Sequence, residues 1–222
     1  KRQKELGVAL VSLGAQTTSL IVYEEGDVLH TAVLPIGSNH ITADLAIGLR
    51  IAMETAEALK LEVAQADADK VNKRDEIDLA KFSISEQERT MIPLKQIAEI
   101  VQARCEEIFF LIDKELKKIN RSGLLPSGVV LTGGGAKLPG LLELGKEKLK
   151  LPVFAGLPLG LENNAIDKVN DPAYATAVGL AIWGTQGQRS SGSGKGRLNL
   201  PNFSSVDQVV DKMKNWFKSL LP

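Results

Sequence analysis

The sequence predicts an α/β domain with a small inserted subdomain and, set apart from both, a C-terminal amphipathic helix. Three observations carry that prediction. The chain opens with β-rich runs at hairpin spacing; its middle holds one long stretch of helical periodicity, then a short apolar strand and three consecutive glycines; and a Gly/Ser-rich stretch separates the last apolar stripe from everything before it.

The opening runs are 6–13, 18–23 and 28–35, separated by Gly14-Ala15-Gln16-Thr17 and by Glu24-Glu25-Gly26-Asp27. Turn residues at that spacing predict three antiparallel strands. Thr42 is placed to cap a helix carrying Leu45, Ile47 and Leu49, and a second helix, 53–63, is rich in Ala, Glu and Leu. Over 65–85 the charge rises, and β-like pieces at 76–79 and 82–84 predict a small, partly exposed insert. Ile97, Val101, Cys105, Ile108, Ile112 and Ile119 recur at helical spacing, so 94–120 reads as one long helix that starts after Pro93, stops before Ser122-Gly123 and packs on a sheet. Val129-Val130-Leu131 is a short buried strand that leads through Thr132-Gly133-Gly134-Gly135 into a helix at 141–149, and 172–183 reads as a helix lined with Ala and Gly. The stretch 184–197 has no apolar residue to bury and predicts a flexible linker, whose about fourteen residues span roughly 20 Å.

Composition bounds what such a chain does. With 222 residues and 44% hydrophobic content it can bury one sizeable core with a smaller insert. Lys plus Arg equals Asp plus Glu at 27 each, so no global field draws it to nucleic acid. A single cysteine, Cys105, excludes an intramolecular disulfide and fits a reducing compartment, and with only His30 and His40 no zinc-type cluster is expected. The longest apolar runs fall far short of the roughly 20 residues that a spanning helix needs. A chain that opens at Lys1, with no initiator Met and no signal peptide, is expected to be the C-terminal part of something longer.

Two glycine turns are candidate ligand contacts. Gly14-Ala15-Gln16-Thr17-Thr18 presents backbone N–H groups and two hydroxyls in a tight turn, a concavity suited to phosphate oxygens, although an ordinary hairpin turn accounts for it equally. Gly133-Gly134-Gly135 removes every side chain between a buried strand and a helix N-terminus, where a ligand can approach the backbone. Glu57 and Lys60 share a helix face at i, i+3, apt to bond a ribose and flank a base; a solvated helix face is the alternative.

Taken together these residues resemble the actin-like ATPase superfamily and, within it, the bacterial FtsA cell-division family. Leu13-Gly14-Ala15-Gln16-Thr17-Thr18 looks like the second phosphate motif, His40-Ile41-Thr42-Ala43-Asp44-Leu45-Ala46 like the helix after it, and Ala56-Glu57-Ala58-Leu59-Lys60 like the adenosine-contacting helix. Ile97-Ala98-Glu99-Ile100-Val101 with Arg104 and Glu107, Val130-Leu131-Thr132-Gly133-Gly134-Gly135-Ala136 and the run 172–180 complete the series. The resemblance implies the second half of an actin-like (ribonuclease H-like) ATPase fold, divided into a base of 1–37 and 124–184, an inserted small subdomain of 38–123, a linker of 185–203 and a membrane-targeting helix of 204–222. It implies ATP with Mg²⁺ in the intact protein, self-assembly into an actin-like filament, contact with the C-terminal tail of FtsZ and with later division proteins, and a place on the cytoplasmic face of the membrane at the division site. Arg89, Lys95, Glu99 and Gln102 are candidates for the partner peptide, at the start of the long helix, where plain solvation accounts for them equally. Where the family usually has Asp at the strand end of the second phosphate motif, this chain has Ser12, which cannot supply the charge, so binding with slow or absent turnover is expected. A pilus-assembly scaffold of the related PilM type, or a phosphotransferase or chaperone of the same fold, is the alternative; no nucleophile or general base for a kinase is evident.

The tail adds a membrane expectation on its own pattern. Val206, Val209, Val210, Met213, Trp216, Phe217, Leu220 and Leu221 follow helical spacing, while Asp207, Gln208, Asp211, Lys212, Lys214, Asn215 and Lys218 fill the other face. Ser205 and Gln208 have capping-box spacing, and lysines toward the end suit an anionic membrane surface. Packing on the protein's own core or in a partner's groove is the alternative, which a Gly/Ser tether disfavours for the core.

Overall fold

The computed structural model describes residues 1–82, 90–159 and 169–190, with side chains as far as 185. Arg89, the remainder of the expected linker and the segment 204–222 lie outside the described residues.

The opening hairpins form as their turn chemistry requires. Strands β1 (Val8–Leu13), β2 (Thr18–Glu24) and β3 (Asp27–Leu34) pair antiparallel, and Glu25 and Gly26 both take positive φ, 53° and 86°, which a two-residue turn needs to match strand twist. Ahead of them lies a short helix that the periodicity did not announce, α1 (Arg2–Leu6), fastened to this turn through its carbonyls: Glu25 N–H donates to Glu5 and Gly26 N–H to Lys4.

These strands are only part of the sheet. β6 (Val129–Thr132) pairs parallel with β1, placing Ser12 beside Thr132, and β7 (Val153–Ala155) pairs parallel with β6, for the order β3-β2-β1-β6-β7. Alternation along β1 buries Ala9, Val11 and Leu13 on one face, where they join the core. The remaining pair, β4 (Glu76–Asp78) with β5 (Met91–Pro93), is a separate two-stranded ribbon.

Helix α2 (Ser38–Leu49) starts earlier than expected. Thr42 is not its cap but a buried residue of its second turn; the chain turns into the helix at Gly37, whose N–H donates to His40 Nδ1 at 3.1 Å. Helix α3 (Met53–Val63) has the expected bounds. Helix α4 (Leu94–Lys118) buries Ile97, Val101, Cys105, Ile108, Ile112 and Leu116, each contributing on the order of 2 kcal/mol of transfer free energy. Burial pushes the Cys105 thiol up to about 12, so it acts as a small apolar side chain.

The core is continuous across the expected boundaries at 37/38 and 123/124: strand residues, α2, α3, α4, Leu79 and Ile92 belong to one cluster. Helix α4, assigned to the insert from sequence, also packs with the base. Its Phe109 ring lies against Gly145 of helix α5 (Leu141–Leu149), where a Cβ would meet the ring at 2.8 Å. Helix α6 (Ala175–Ser190) follows a 3₁₀ turn at Pro172–Tyr174, so the beginning of the expected flexible linker is helical.

Candidate functional site

The parallel pairing of β1 and β6 sets the two glycine turns side by side, because each follows the C-terminal end of its strand. That edge of an α/β sheet, outside the carboxyl ends of parallel strands, is where such folds bind ligands.

The first turn is closed by Gly14 N–H donating to the Thr17 carbonyl at 2.9 Å. Its outer carbonyls hold α2: Ser38 N–H donates to Gly14 and Asn39 N–H to Ala15, at 2.9 and 2.7 Å. The leading donors of α2 are therefore consumed by the hairpin. Ala15, Gln16 and Thr17 are exposed, and the N–H groups of Ala15 and Gln16 have no acceptor among the described residues. Thr18 departs from expectation. It is fully buried and its hydroxyl donates to the Ile36 carbonyl at 2.7 Å, so it closes the base of the hairpin and presents nothing to a ligand.

The triple glycine divides its labour. Gly133, at φ 84°, donates its N–H to the Pro172 carbonyl at 2.9 Å, and a Cβ there would stand 2.4 Å from the Leu13 carbonyl oxygen. A Cβ on Gly135 would meet the Leu13 side chain at 2.5 Å. Close approach to β1 accounts for both. Of the three, Gly134 opens onto free space, with no atom of a described residue beyond its chain neighbours within 4 Å of a Cβ position, and the N–H groups of Gly134 and Gly135 have no acceptor among the described residues.

Glu57 and Lys60 share a face of α3, as their spacing requires, and both meet Thr42 of α2. Lys60 Nζ donates to Glu57 Oε2 at 2.6 Å and to Thr42 Oγ1 at 2.9 Å, and the Thr42 hydroxyl donates to the same Glu57 oxygen at 2.6 Å. Burial raises the Glu57 carboxyl, but hydrogen bonds from Lys60 and Thr42, with the ammonium charge, outweigh it and hold the group below its ordinary value. Lys60 also reaches the Ser38 carbonyl at 3.5 Å, which links this cluster to the hairpin through the Ser38–Gly14 bond.

Ser12 pairs with Ser19 on β2 and Thr132 on β6, so the position expected to be acidic lies in a row of hydroxyls. Asp171 was missed in the sequence. It accepts from Ala173 N–H at 2.8 Å and from Lys137 Nζ at 2.6 Å, and Lys137 foremost, then Ala173, lowers its pKa. The loop that it caps is the one whose Pro172 carbonyl holds Gly133; the signal was Asp before Pro at a helix start. Among the described residues no three His, Cys, Asp or Glu side chains form a metal-holding group.

Of the partner candidates, Lys95, Glu99 and Gln102 stand on α4, and Arg89 lies outside the described residues. Gln102 accepts from Ala68 N–H at 2.8 Å and donates to Glu106 at 3.0 Å, and Lys95 lies 3.8 Å from Asp69, so both fasten α4 to the segment after α3. Glu99 is exposed and has no polar partner among the described residues. Arg104 bridges Asp44 of α2 and Glu107.

A family model described as "Cell division protein FtsA" matches residues 9–179. The chain is 35% identical over 217 residues to the cell division protein FtsA of Pseudomonas aeruginosa, covering 96% of this chain and 51% of that one. It is 36% identical over 192 residues to FtsA of Bacillus subtilis, covering 86% and 42%. The chain thus spans about half the length of the curated relatives that it matches. In structure it is similar to MreB5 of Spiroplasma citri bound to ADP, with a TM-score of 0.64 and 16% identity over 87% of this chain and 58% of that one. It is also similar to a chain of a PilM–PilN type IV pilus biogenesis complex, with a TM-score of 0.59 and 19% identity over 82% of this chain and 47% of that one. Both likenesses bear on the fold, which is actin-like.

Proposed function

Since the chain belongs to the FtsA family of cell-division proteins, we propose that it supplies one wall of an ATP-binding cleft in a filament-forming, actin-like protein that holds FtsZ at the cytoplasmic face of the membrane. The observation that carries the nucleotide reading is the adjacency of the two turns after β1 and β6, which places the open backbone donors of Ala15, Gln16, Gly134 and Gly135 at the carboxyl edge of parallel strands. Gly14, Thr17 and Gly133 shape those turns, Thr18 supports one from beneath, and Glu57 with Lys60 meets the nucleoside. Mg²⁺ bound with ATP would supply charge stabilisation on the phosphates, and the Ser12 hydroxyl would reach it only through water, without the charge that a carboxylate would add.

The base, 1–37 with 124–184, carries the turns; the small subdomain, 38–123, takes the FtsZ tail peptide near Arg89, Lys95, Glu99 and Gln102; and α4 belongs to both. The segment 204–222, joined by the Gly/Ser stretch, attaches the assembly to anionic lipid, and later division proteins join it there. No described helix is long and apolar enough to cross a membrane.

Equilibrium binding of ATP to the full-length protein tests the site. Gly134→Val and Glu57→Ala should each weaken binding by about tenfold or more, one by filling the open turn and the other by removing the nucleoside contact. Unchanged affinity in both rejects the reading.

A further inference from the structure

The first glycine turn has a second side. In the order β3-β2-β1-β6 the second glycine turn lies on its β6 flank, and on the flank toward β3 and α2 a concavity of about 510 Å³ opens. Gln16 and Thr17 of the turn, Pro35 after β3, and Asn39, His40 and Ala43 of α2 line it. Its walls are held to each other by backbone: Ser38 and Asn39 N–H donate to the Gly14 and Ala15 carbonyls at 2.9 and 2.7 Å, and a Cβ on Gly37 would stand 2.6 Å from the Ala15 oxygen. They cannot part without breaking the entry to α2.

The polar groups of this lining are unspent. The side chains of Gln16, Thr17 and Asn39 have no hydrogen-bond partner among the described residues. His40 Nδ1 accepts from Gly37 N–H at 3.1 Å, so the proton of the neutral ring sits on Nε2, which has no partner among them either. All four side chains can donate, and the imidazole N–H, like the open N–H groups of Ala15 and Gln16, can only donate. No carboxylate lines the cavity to repel an anion, and Asp44, next to Ala43, is held by Arg104 through both of its oxygens. No ammonium or guanidinium lines it either. A ligand that suits such a lining accepts hydrogen bonds from several directions at once, as a tetrahedral oxyanion does.

We propose that this cavity is a phosphate subsite beside the nucleotide cleft, in which the uncharged side chains of Gln16, Asn39 and His40 donate to the oxygens of a phosphate group. The proposal rests on the nucleotide reading above, which makes the first turn a wall that faces phosphate. Two sources offer the same chemistry: the terminal phosphate of a nucleoside triphosphate, or free orthophosphate beside a bound diphosphate. In either case the subsite is filled in one state and empty when a diphosphate binds alone, so the side chains on α2 sense which of the two is present. Because Gln16, Thr17 and Asn39 are exposed, water competes for each bond, and the discrimination comes from several modest bonds acting together.

The test is titration calorimetry on the full-length protein with ATP, with ADP, and with orthophosphate added to the ADP-saturated protein. The variant joins Gln16→Ala to Asn39→Ala, two exposed positions where truncation should leave the melting curve as it is. With the terminal phosphate as occupant, the variant should lose about tenfold in ATP affinity and under about twofold in ADP affinity. With free orthophosphate as occupant, both nucleotide affinities should hold while the orthophosphate titration weakens by about tenfold. Should the double variant melt early, Gln16→Ala alone decides, with about threefold in place of tenfold. No difference from the wild type in any of the three titrations overturns the proposal. An equal loss for ATP and ADP overturns it too, since it would place these side chains on a part of the nucleotide that both ligands share. Both of those results leave the nucleotide site standing. A wild type that binds neither nucleotide removes the nucleotide site itself, and the proposal with it.

Discussion

Gly133 crosses Leu13 so closely that a Cβ on the glycine would stand 2.4 Å from the leucine's carbonyl oxygen. The backbone at Gly133, φ 84° and ψ 167°, lies in a region that is essentially closed to side-chain-bearing residues. Backbone strain alone costs on the order of 1–3 kcal/mol, and the overlap adds to it. Gly133→Ala should therefore destabilise the protein by about 3 kcal/mol or more in chemical denaturation. Gly134→Ala, with no described residue beyond its chain neighbours within 4 Å of the added carbon, should cost under about 1 kcal/mol. Equal losses at the two positions would contradict this division of the turn.

Thr18 gives a complementary test, since its hydroxyl is spent inside the protein. Thr18→Val keeps the shape but leaves the buried Ile36 carbonyl without its donor, at a cost of about 1–3 kcal/mol. In the full-length protein, at temperatures where the variant remains folded, its ATP affinity should match the wild type. A loss of affinity without a loss of stability would return Thr18 to the ligand.

Much of this arrangement is legible in the sequence where local physics decides it. Periodicity and turn chemistry give β2, α3, α5 and nearly all of α4, because each carries a clear period and its own stop. They fail where a distant neighbour decides. Thr42 looks like a cap, yet Gly37 and the His40 ring make the turn, since α2 must hand its first donors to the hairpin carbonyls. Strand β7 is too short to show alternation and exists because β6 offers a parallel edge. The roles of Thr18, Gly133 and Gly135 follow from contact with Ile36 and Leu13, which spacing cannot reveal.

Acid should weaken the fold through Glu115. This buried carboxylate of α4 accepts from Lys118 at 2.6 Å and sits 3.0 Å from His30 Nε2 on β3; Lys118 first, then His30, hold it below its ordinary value. A carboxyl depressed on folding contributes stability that is fully present above its unfolded value, near 4.5, and is lost as pH falls through the folded value. Glu115→Gln should lower the melting temperature at pH 7 and flatten its fall below pH about 4.5. An acid limb as steep as that of the wild type would exclude Glu115 from it.

Ser12 should make turnover slow. The Thr132 hydroxyl is buried and donates to the Val11 carbonyl at 3.4 Å, which leaves Ser12 and Ser19 as the hydroxyls of this row; with no carboxylate among them they can orient water but cannot supply negative charge to it or to a metal. The full-length protein should bind ATP yet hydrolyse it well below the about 1 per second that marks the low end of ordinary enzymes, and Ser12→Ala should change that rate little. Ordinary turnover abolished by Ser12→Ala would assign the serine a catalytic role.

The last expectation concerns 204–222, which lies outside the described residues and is argued from its pattern alone. Val206, Val209, Val210, Met213, Trp216, Phe217, Leu220 and Leu221 recur at a spacing that would gather them on one face of a helix, with Lys212, Lys214 and Lys218 on the other. An aromatic at the boundary between acyl chains and headgroups buries its ring while lysines meet anionic headgroups, so both the apolar and the charged terms favour association. Trp216→Glu removes about 2–3 kcal/mol of apolar burial and adds a charge of the wrong sign, which corresponds to a loss of roughly 30-fold or more in vesicle partitioning. Sedimentation of the full chain with vesicles containing phosphatidylglycerol should show that loss, and a smaller one as salt is raised, because only the lysine contribution is screened. Equal sedimentation of wild type and Trp216→Glu would place the stripe in a protein groove or leave it without a lipid role.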